Sequence, residues 1–163
     1  MSKIIPLDNP FWQFSLRFYS DPIIEQQCLD LQGQGFQVNL LLFCLWHGNA
    51  GRGVLLTPRL LQLQQLLLPS QQVIEPLRLS RQRLKSLRDP HQQPYLDQLR
   101  QQLKHAELAA EQYQQYLLYQ QADQVKKLCQ PKADALFNLN TYAQMLARTG
   151  FDEAHPLLQS LSK

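Results

Sequence analysis

Apolar residues recur every three or four positions along most of this chain, the spacing of one face of an α-helix. Phe11, Phe14 and Phe18 follow i, i+3, i+7 and define a first amphipathic segment. From Leu40 to Trp46 the pattern changes to seven consecutive apolar residues. A helix apolar on every side belongs in the middle of a domain, with other helices packed around it. A buried strand reads similarly over so short a run, but no neighbouring segment alternates as strands do, so the segment is read as helix. Asn9-Pro10, Asp21-Pro22 and Thr57-Pro58 each set a side-chain oxygen before a proline, which places an N-cap and a first helical residue. These signals predict helices over about 10–20, 22–33 and 38–48. Gly33 and Gly35 offer a left-handed C-cap to the second. The glycine-rich stretch from His47 to Gly53 is expected to be a flexible loop.

After Thr57-Pro58 a leucine-rich helix is expected to run to about Leu68 and to close at Pro69. A second would open at Ser70 and reach Arg88. Its apolar or small positions Val73, Leu77, Ser80, Leu84 and Leu87 are spaced 4, 3, 4, 3. Beyond a turn at Asp89-Pro90, the positions Leu96, Leu99, Leu103, Ala106, Ala110, Tyr113 and Leu117 continue the same rhythm. Two such seams joined by a short turn predict an antiparallel hairpin over about 70–121. The expected architecture is therefore all-α: a single-domain helical bundle with a buried central helix at about 38–48 and this long hairpin. Residues 1–121 read as the core domain and 122–163 as a partly mobile helical extension, with a helix over about 132–148.

Composition changes this picture little. Hydrophobic residues make up 44% of the 163 and charged residues only 18%, the shortfall being filled by 26 glutamines interleaved with leucines at helical spacing. The net charge of +3 is unevenly spread. Residues 58–104 carry 8 basic and 3 acidic groups, whereas the segments on either side each come to −1. That attracts an anionic partner but falls well short of a basic nucleic-acid-binding tail. No signal-peptide pattern follows Met1, and seven apolar residues are too few to span a membrane, which needs about 20. Cys28, Cys44 and Cys129 are odd in number and contain no CxxC pair, which suits a reducing cytoplasm.

Candidate chemistry is sparse. Arg78, Arg81, Lys85 and Arg88 are spaced 3, 4, 3 and share a helical face about 100° from the apolar seam. Such a stripe is either a solvated face or a contact for phosphate or an acidic protein surface. No aromatic residue interleaves it, so stacking of single-stranded bases is not suggested. Phe14, Phe18, Trp46 and Tyr113 could alternatively line an aromatic pocket, although core packing is the ordinary role of such residues. His47, His91, His105 and His155 are dispersed without metal-ligand spacing. No nucleophile elbow, phosphate-binding loop or HExxH is present. Cys44 and His47 stand three apart, but in the most apolar segment, where a thiol is usually inert. No catalytic residue, metal site or cofactor is assigned.

Phe11-Trp12-Gln13-Phe14-Ser15-Leu16, Cys28-Leu29-Asp30-Leu31-Gln32 and Val38 to Trp46, together with Pro76-Leu77-Arg78, Arg81 and Lys85, resemble an uncharacterised proteobacterial family. Its members are proteins of about this length, known only as a domain of unknown function. The likeness covers roughly residues 8–120, and Val-Asn-Leu-Leu-Leu-Phe-Cys-Leu-Trp is its most specific part. The resemblance implies a bacterial cytoplasmic helical protein and transfers no catalytic residue. The preferred expectation is a non-enzymatic interaction or adaptor protein that uses the basic stripe against an acidic protein surface or a structured RNA. The alternative is a bundle, enzymatic or not, that binds a small molecule or lipid in the aromatic pocket. Tyr116 and Tyr119 on the long helix leave oligomerisation as a third option.

Overall fold

A computed structural model describes residues 5–162 of the chain. Its helices are α1 (Pro10–Tyr19), α2 (Pro22–Gly33), α3 (Val38–Asn49), α4 (Thr57–Ser86), α5 (Gln93–Gln120), α6 (Pro131–Met145) and α7 (Pro156–Gln159), the last followed by a 3₁₀ turn at Ser160–Ser162. No strand occurs among the described residues. Asn9 and Asp21 cap α1 and α2 as their position before proline predicts, accepting hydrogen bonds from the N–H groups of Trp12 and Ile23. Thr57 behaves differently. It is already helical, the capping position is Leu56, and no side chain caps α4.

The apolar run forms the central helix. Every residue of α3 from Leu40 to Gly48 is buried, and α1, α2, α5 and α6 pack around it. α6 comes closest: a methyl group at Gly48 would lie 2.2 Å from the backbone nitrogen of Ala135, so only glycine fits this crossing. The segment beyond residue 121 shares the same core, to which it contributes Ala135, Leu139, Tyr142, Ala143, Leu157 and Leu158.

α4 and α5 form the long antiparallel hairpin. Its register is visible in the pairs Gln71–Gln114 and Arg78–Glu107, where residue numbers rise on one helix as they fall on the other. The expected break at Pro69 is absent. One 30-residue helix runs through both Pro69 and Pro76. Each proline deprives the carbonyl four residues earlier of its partner. Pro69, Pro76 and the carbonyl-bearing Gln65 and Gln72 are all exposed, so water satisfies those groups. Leu60, Leu63, Leu67 and Ile74 hold the opposite face of α4 buried.

The hairpin seam departs in part from the expected one. Leu77 and Leu84 face inward as expected, but Val73 and Leu87 are half exposed and Ser80 faces solvent, while Ile74 and Arg81 turn inward in their place. On α5 the expected Leu96 is buried and Leu99, Leu103, Ala110 and Leu117 are half-buried, but Ala106 and Tyr113 are exposed, while Glu107, Gln114, Gln115 and Leu118 are buried. The 47–53 stretch is not free chain. Asn138 donates to the carbonyls of Cys44 and Gly53 and accepts from Leu55 N–H, fixing this loop to α6.

Candidate functional site

The altered seam turns part of the basic stripe inward. Arg78 donates to Glu107 Oε1 and Glu111 Oε1, both at 3.0 Å, and Arg81 donates to Glu107 Oε2 at 2.6 Å. Arg78 and Arg81 lie one turn apart on α4, and Glu107 and Glu111 one turn apart on α5, so the antiparallel register brings the pairs face to face. The two carboxylates titrate in opposite directions. Burial works to raise Glu107, but hydrogen bonds from Arg81 and Arg78 outweigh it and hold this carboxyl below its ordinary range. Glu111 is pushed up by burial and by repulsion from Glu107, against the pull of Arg78. Lys85 and Arg88 lie further toward the hairpin tip. Both are exposed, and Arg88 caps carbonyls of Lys85 and Leu87.

Toward the core the charges give way to amides. Asn39 Nδ2 donates to Gln114 Oε1 at 2.8 Å, and Asn39 Oδ1 accepts from Gln115 Nε2 at 2.9 Å. Gln114 Nε2 in turn donates to Gln71 Oε1 at 3.2 Å. This chain joins α3, α4 and α5, and it fixes each amide's orientation: exchanging the O and N of Gln115 would set two oxygens against each other at Asn39.

Between α1–α3 on one side and the hairpin on the other lies a cleft of about 900 Å³. Trp12, Leu16, Tyr19, Leu29 and Leu42 on one side and Ile74 and Leu108 on the other contribute to its apolar surface, and burial pushes the Tyr19 hydroxyl up to about 12. Eight asparagine and glutamine side chains line it, along with four basic and four acidic residues. The cations are Arg78, Arg81, Lys85 and Lys104; the carboxylates are Glu25, Glu75, Glu107 and Glu111. Among the described residues, four buried side-chain polar atoms lack a hydrogen-bond partner. Three of them, Ser15 Oγ, Gln37 Oε1 and Gln115 Oε1, belong to residues that line this cleft, while the fourth, Arg52 Nε, does not. Ser15 and Gln115 are each only 3% exposed. A buried polar atom without a partner is costly by about 1–3 kcal/mol, so these three sit unfavourably in the layer beneath the cleft.

Phe14, Phe18, Trp46 and Tyr113 do not come together around this cleft, and none of them lines it. Phe14 stacks on Phe18, Trp46 packs with Phe11, Phe43 and Tyr119, and the exposed Tyr113 stacks on Tyr116. Arg52 lies over the Trp46 ring at 4.8 Å. Burial drives the Cys44 thiol far up, out of nucleophilic range. His47 is committed elsewhere: Nδ1 donates to the Gly53 carbonyl at 3.1 Å and Nε2 accepts from Asp123 N–H at 3.3 Å. His155 caps α7, and His91 and His105 are exposed on the hairpin. No group of three or more His, Cys, Asp or Glu side chains among the described residues is placed to hold a metal.

Sequence reasoning passed over Glu107, Glu111 and the Asn39–Gln114–Gln115 chain. One signal was available, since two arginines one turn apart on α4 and two glutamates one turn apart on α5 are complementary in an antiparallel hairpin. The buried amides gave none, because they look like any of the other glutamines. No curated protein and no solved structure matches the chain. Residues 10–118, two thirds of the sequence, match the family described as proteins of unknown function, DUF2390, and the chain belongs to that family.

Proposed function

We propose that this protein is a non-enzymatic interaction module of the reducing cytoplasm that receives part of a partner protein in the cleft between α1–α3 and the α4–α5 hairpin. The observation that carries this reading is the cleft itself, a concave surface between two groups of helices with eight amide side chains in its lining. The chemistry of the lining agrees. Side-chain amides carry both donors and acceptors, as a polypeptide backbone does, so an amide-rich cleft matches a peptide better than it matches an apolar metabolite or a lipid. The basic stripe takes part in a modified way: Arg78 and Arg81 build the cleft with their glutamate partners, and Lys85 and Arg88 remain available to an anionic surface. An RNA partner is less well matched, because equal numbers of acidic and basic residues line the cleft.

Site-specific photocrosslinking in cells tests this reading. A photoreactive residue at Leu108, exposed on the cleft rim, should yield a discrete protein adduct, whereas one at Leu61, exposed but outside the cleft, should not. Equal adducts from both positions, none from either, or an RNA adduct from Leu108 would sink the proposal.

A further inference from the structure

The apolar stripes expected to form the hairpin's own seam are left partly uncovered on its back, the side away from the cleft. On α4 the stripe runs from Val73 to Leu87, and on α5 from Leu99 to Leu117. None of its members lines the cleft. At about 100° per residue, Val73 stands about 140° around α4 from Arg78, and Ala106 about 160° around α5 from Lys104. Val73 is 55% exposed, Leu87 50% and Tyr113 40%, and Ser80 and Ala106 face solvent. Leu77, Leu84, Leu99, Leu103, Ala110 and Leu117 between them are half-buried. No member of either stripe is charged, although both helices carry charges on their other faces.

We infer that this face pairs with the same face of a second copy of the chain, the two hairpins lying back to back and antiparallel. A two-fold pair sets the residues near its axis against themselves, so a charge there repels its own copy. This face carries none. Its smallest side chains are also central. Arg78 and Arg81 both bond Glu107, which places Ser80 level with Ala106, while Val73, Leu87, Leu99 and Tyr113 lie toward the two ends. Two copies meeting at that waist can approach closely, and the larger side chains of each end then pack against the other end of its copy. The antiparallel arrangement keeps Arg83, Lys85 and Arg88, exposed near the hairpin tip, away from their counterparts. Size agrees. From Leu99 to Leu117 is about 27 Å of helix and two helices side by side are about 20 Å wide, or roughly 540 Å² in projection. Side-chain relief raises the accessible area above that figure, into the range of about 600–1,000 Å² per partner that stable pairs bury. The cleft stays open on the outer side of each copy, so the pairing and the cleft's occupancy are independent.

Sedimentation equilibrium of the full-length protein, from low to high micromolar concentration, tests this. The wild type should pass from the 19.0 kDa of one chain toward twice that mass. Ala106→Glu and Ala106→Lys each set like charges against one another at the axis and should stay monomeric throughout. Their far-UV circular dichroism should match wild type, because the position is exposed. An equimolar mixture of the two variants should dimerise at least about tenfold more tightly than either alone, since opposite charges then meet. The same exchange at Ser80 repeats the test on the other helix. Leu61→Glu, exposed on a different face of α4, should dimerise as wild type does. A wild type that stays monomeric, the behaviour of a face kept for a foreign helix, would overturn the inference. So would an Ala106→Glu dimer as tight as wild type, a mixture no tighter than its components, or equal weakening by Leu61→Glu.

Discussion

Replacing Glu107 by alanine removes the carboxylate on which two guanidinium groups converge. Its side chain is 9% exposed, and those of Arg78 and Arg81 are 21% and 30% exposed. Exposed ion pairs are worth about 0.2–1 kcal/mol, whereas stripping one partner from a fully buried pair costs about 3–5 kcal/mol. The geometry falls between these limits. Arg78 keeps Glu111 at 3.0 Å, and Arg81 has water within reach, so neither cation is wholly abandoned. Three charge-assisted hydrogen bonds disappear all the same. A loss of about 2–3 kcal/mol follows, or roughly 4–12 °C in Tm for a chain of this size. Urea unfolding followed by circular dichroism reads it directly. The double replacement Arg81→Met with Glu107→Leu should recover to within about 1 kcal/mol of wild type, because no uncompensated charge then remains at the buried position. Acid gives an independent check. A carboxyl held below its ordinary range stabilises the fold above the unfolded value of about 4.3, and the contribution is lost as pH falls through its folded value. The gap between wild type and Glu107→Gln should therefore close in strong acid. A loss below about 0.5 kcal/mol for Glu107→Ala near pH 7 would refute the reasoning and return the stripe to a solvated face.

Three further outcomes follow from the fold. Gly48→Ala drives a methyl group into the backbone of Ala135 and must separate α3 from α6; about 3 kcal/mol of stability should be lost in urea unfolding, and a neutral result would contradict the close crossing. Ala147 closes α6 with φ at 52°, a left-handed conformation that suits glycine, so Ala147→Gly should raise the unfolding free energy by roughly 0.5–1 kcal/mol, and destabilisation would count against that cap. Burial depresses His47, with the Gly53 carbonyl and Asp123 opposing, so the folded imidazole stays neutral while the unfolded one protonates below about pH 6.5. Stability is then full above that pH and falls below it by up to about 1.4 kcal/mol per pH unit; unfolding at pH 7.5 and 6 should show this slope reduced in His47→Gln, and an equal slope in both proteins would contradict it.

The central helix and the caps at Asn9 and Asp21 were legible because each depends on a few adjacent residues. The hairpin was legible as an element, and its facing only in part: Leu77, Leu84 and Leu96 turn inward as expected, Val73 and Ser80 do not. Val73 and Ile74 are adjacent and both apolar, so either could anchor the seam. The choice fell to Ile74 through contacts made across the hairpin, and the arginine stripe turned with it. Pro69 read as a terminus because a missing N–H is a local fact, while the leucines that hold α4 together across it act through tertiary packing. The end of α6 was placed too late for a related reason. A Schellman closure normally advertises itself by glycine, and here the left-handed position is occupied by Ala147, with Arg148 N–H donating back to the Ala143 carbonyl.

The two prolines inside α4 have a mechanical consequence. A 30-residue helix is about 45 Å long. Leu60, Leu63 and Leu67 clamp its first half to the bundle, whereas Ile74, Glu75, Arg78 and Arg81 of its second half form a wall of the cleft. Pro69 and Pro76 straddle the start of that wall, and each removes one rung from the hydrogen-bond ladder that stiffens the rod. The compliant zone of the longest lever in the molecule therefore coincides with the start of the cleft wall that the second half of α4 builds. A load on the hairpin tip would be taken up at that zone before it reached the clamped half and the core beneath it.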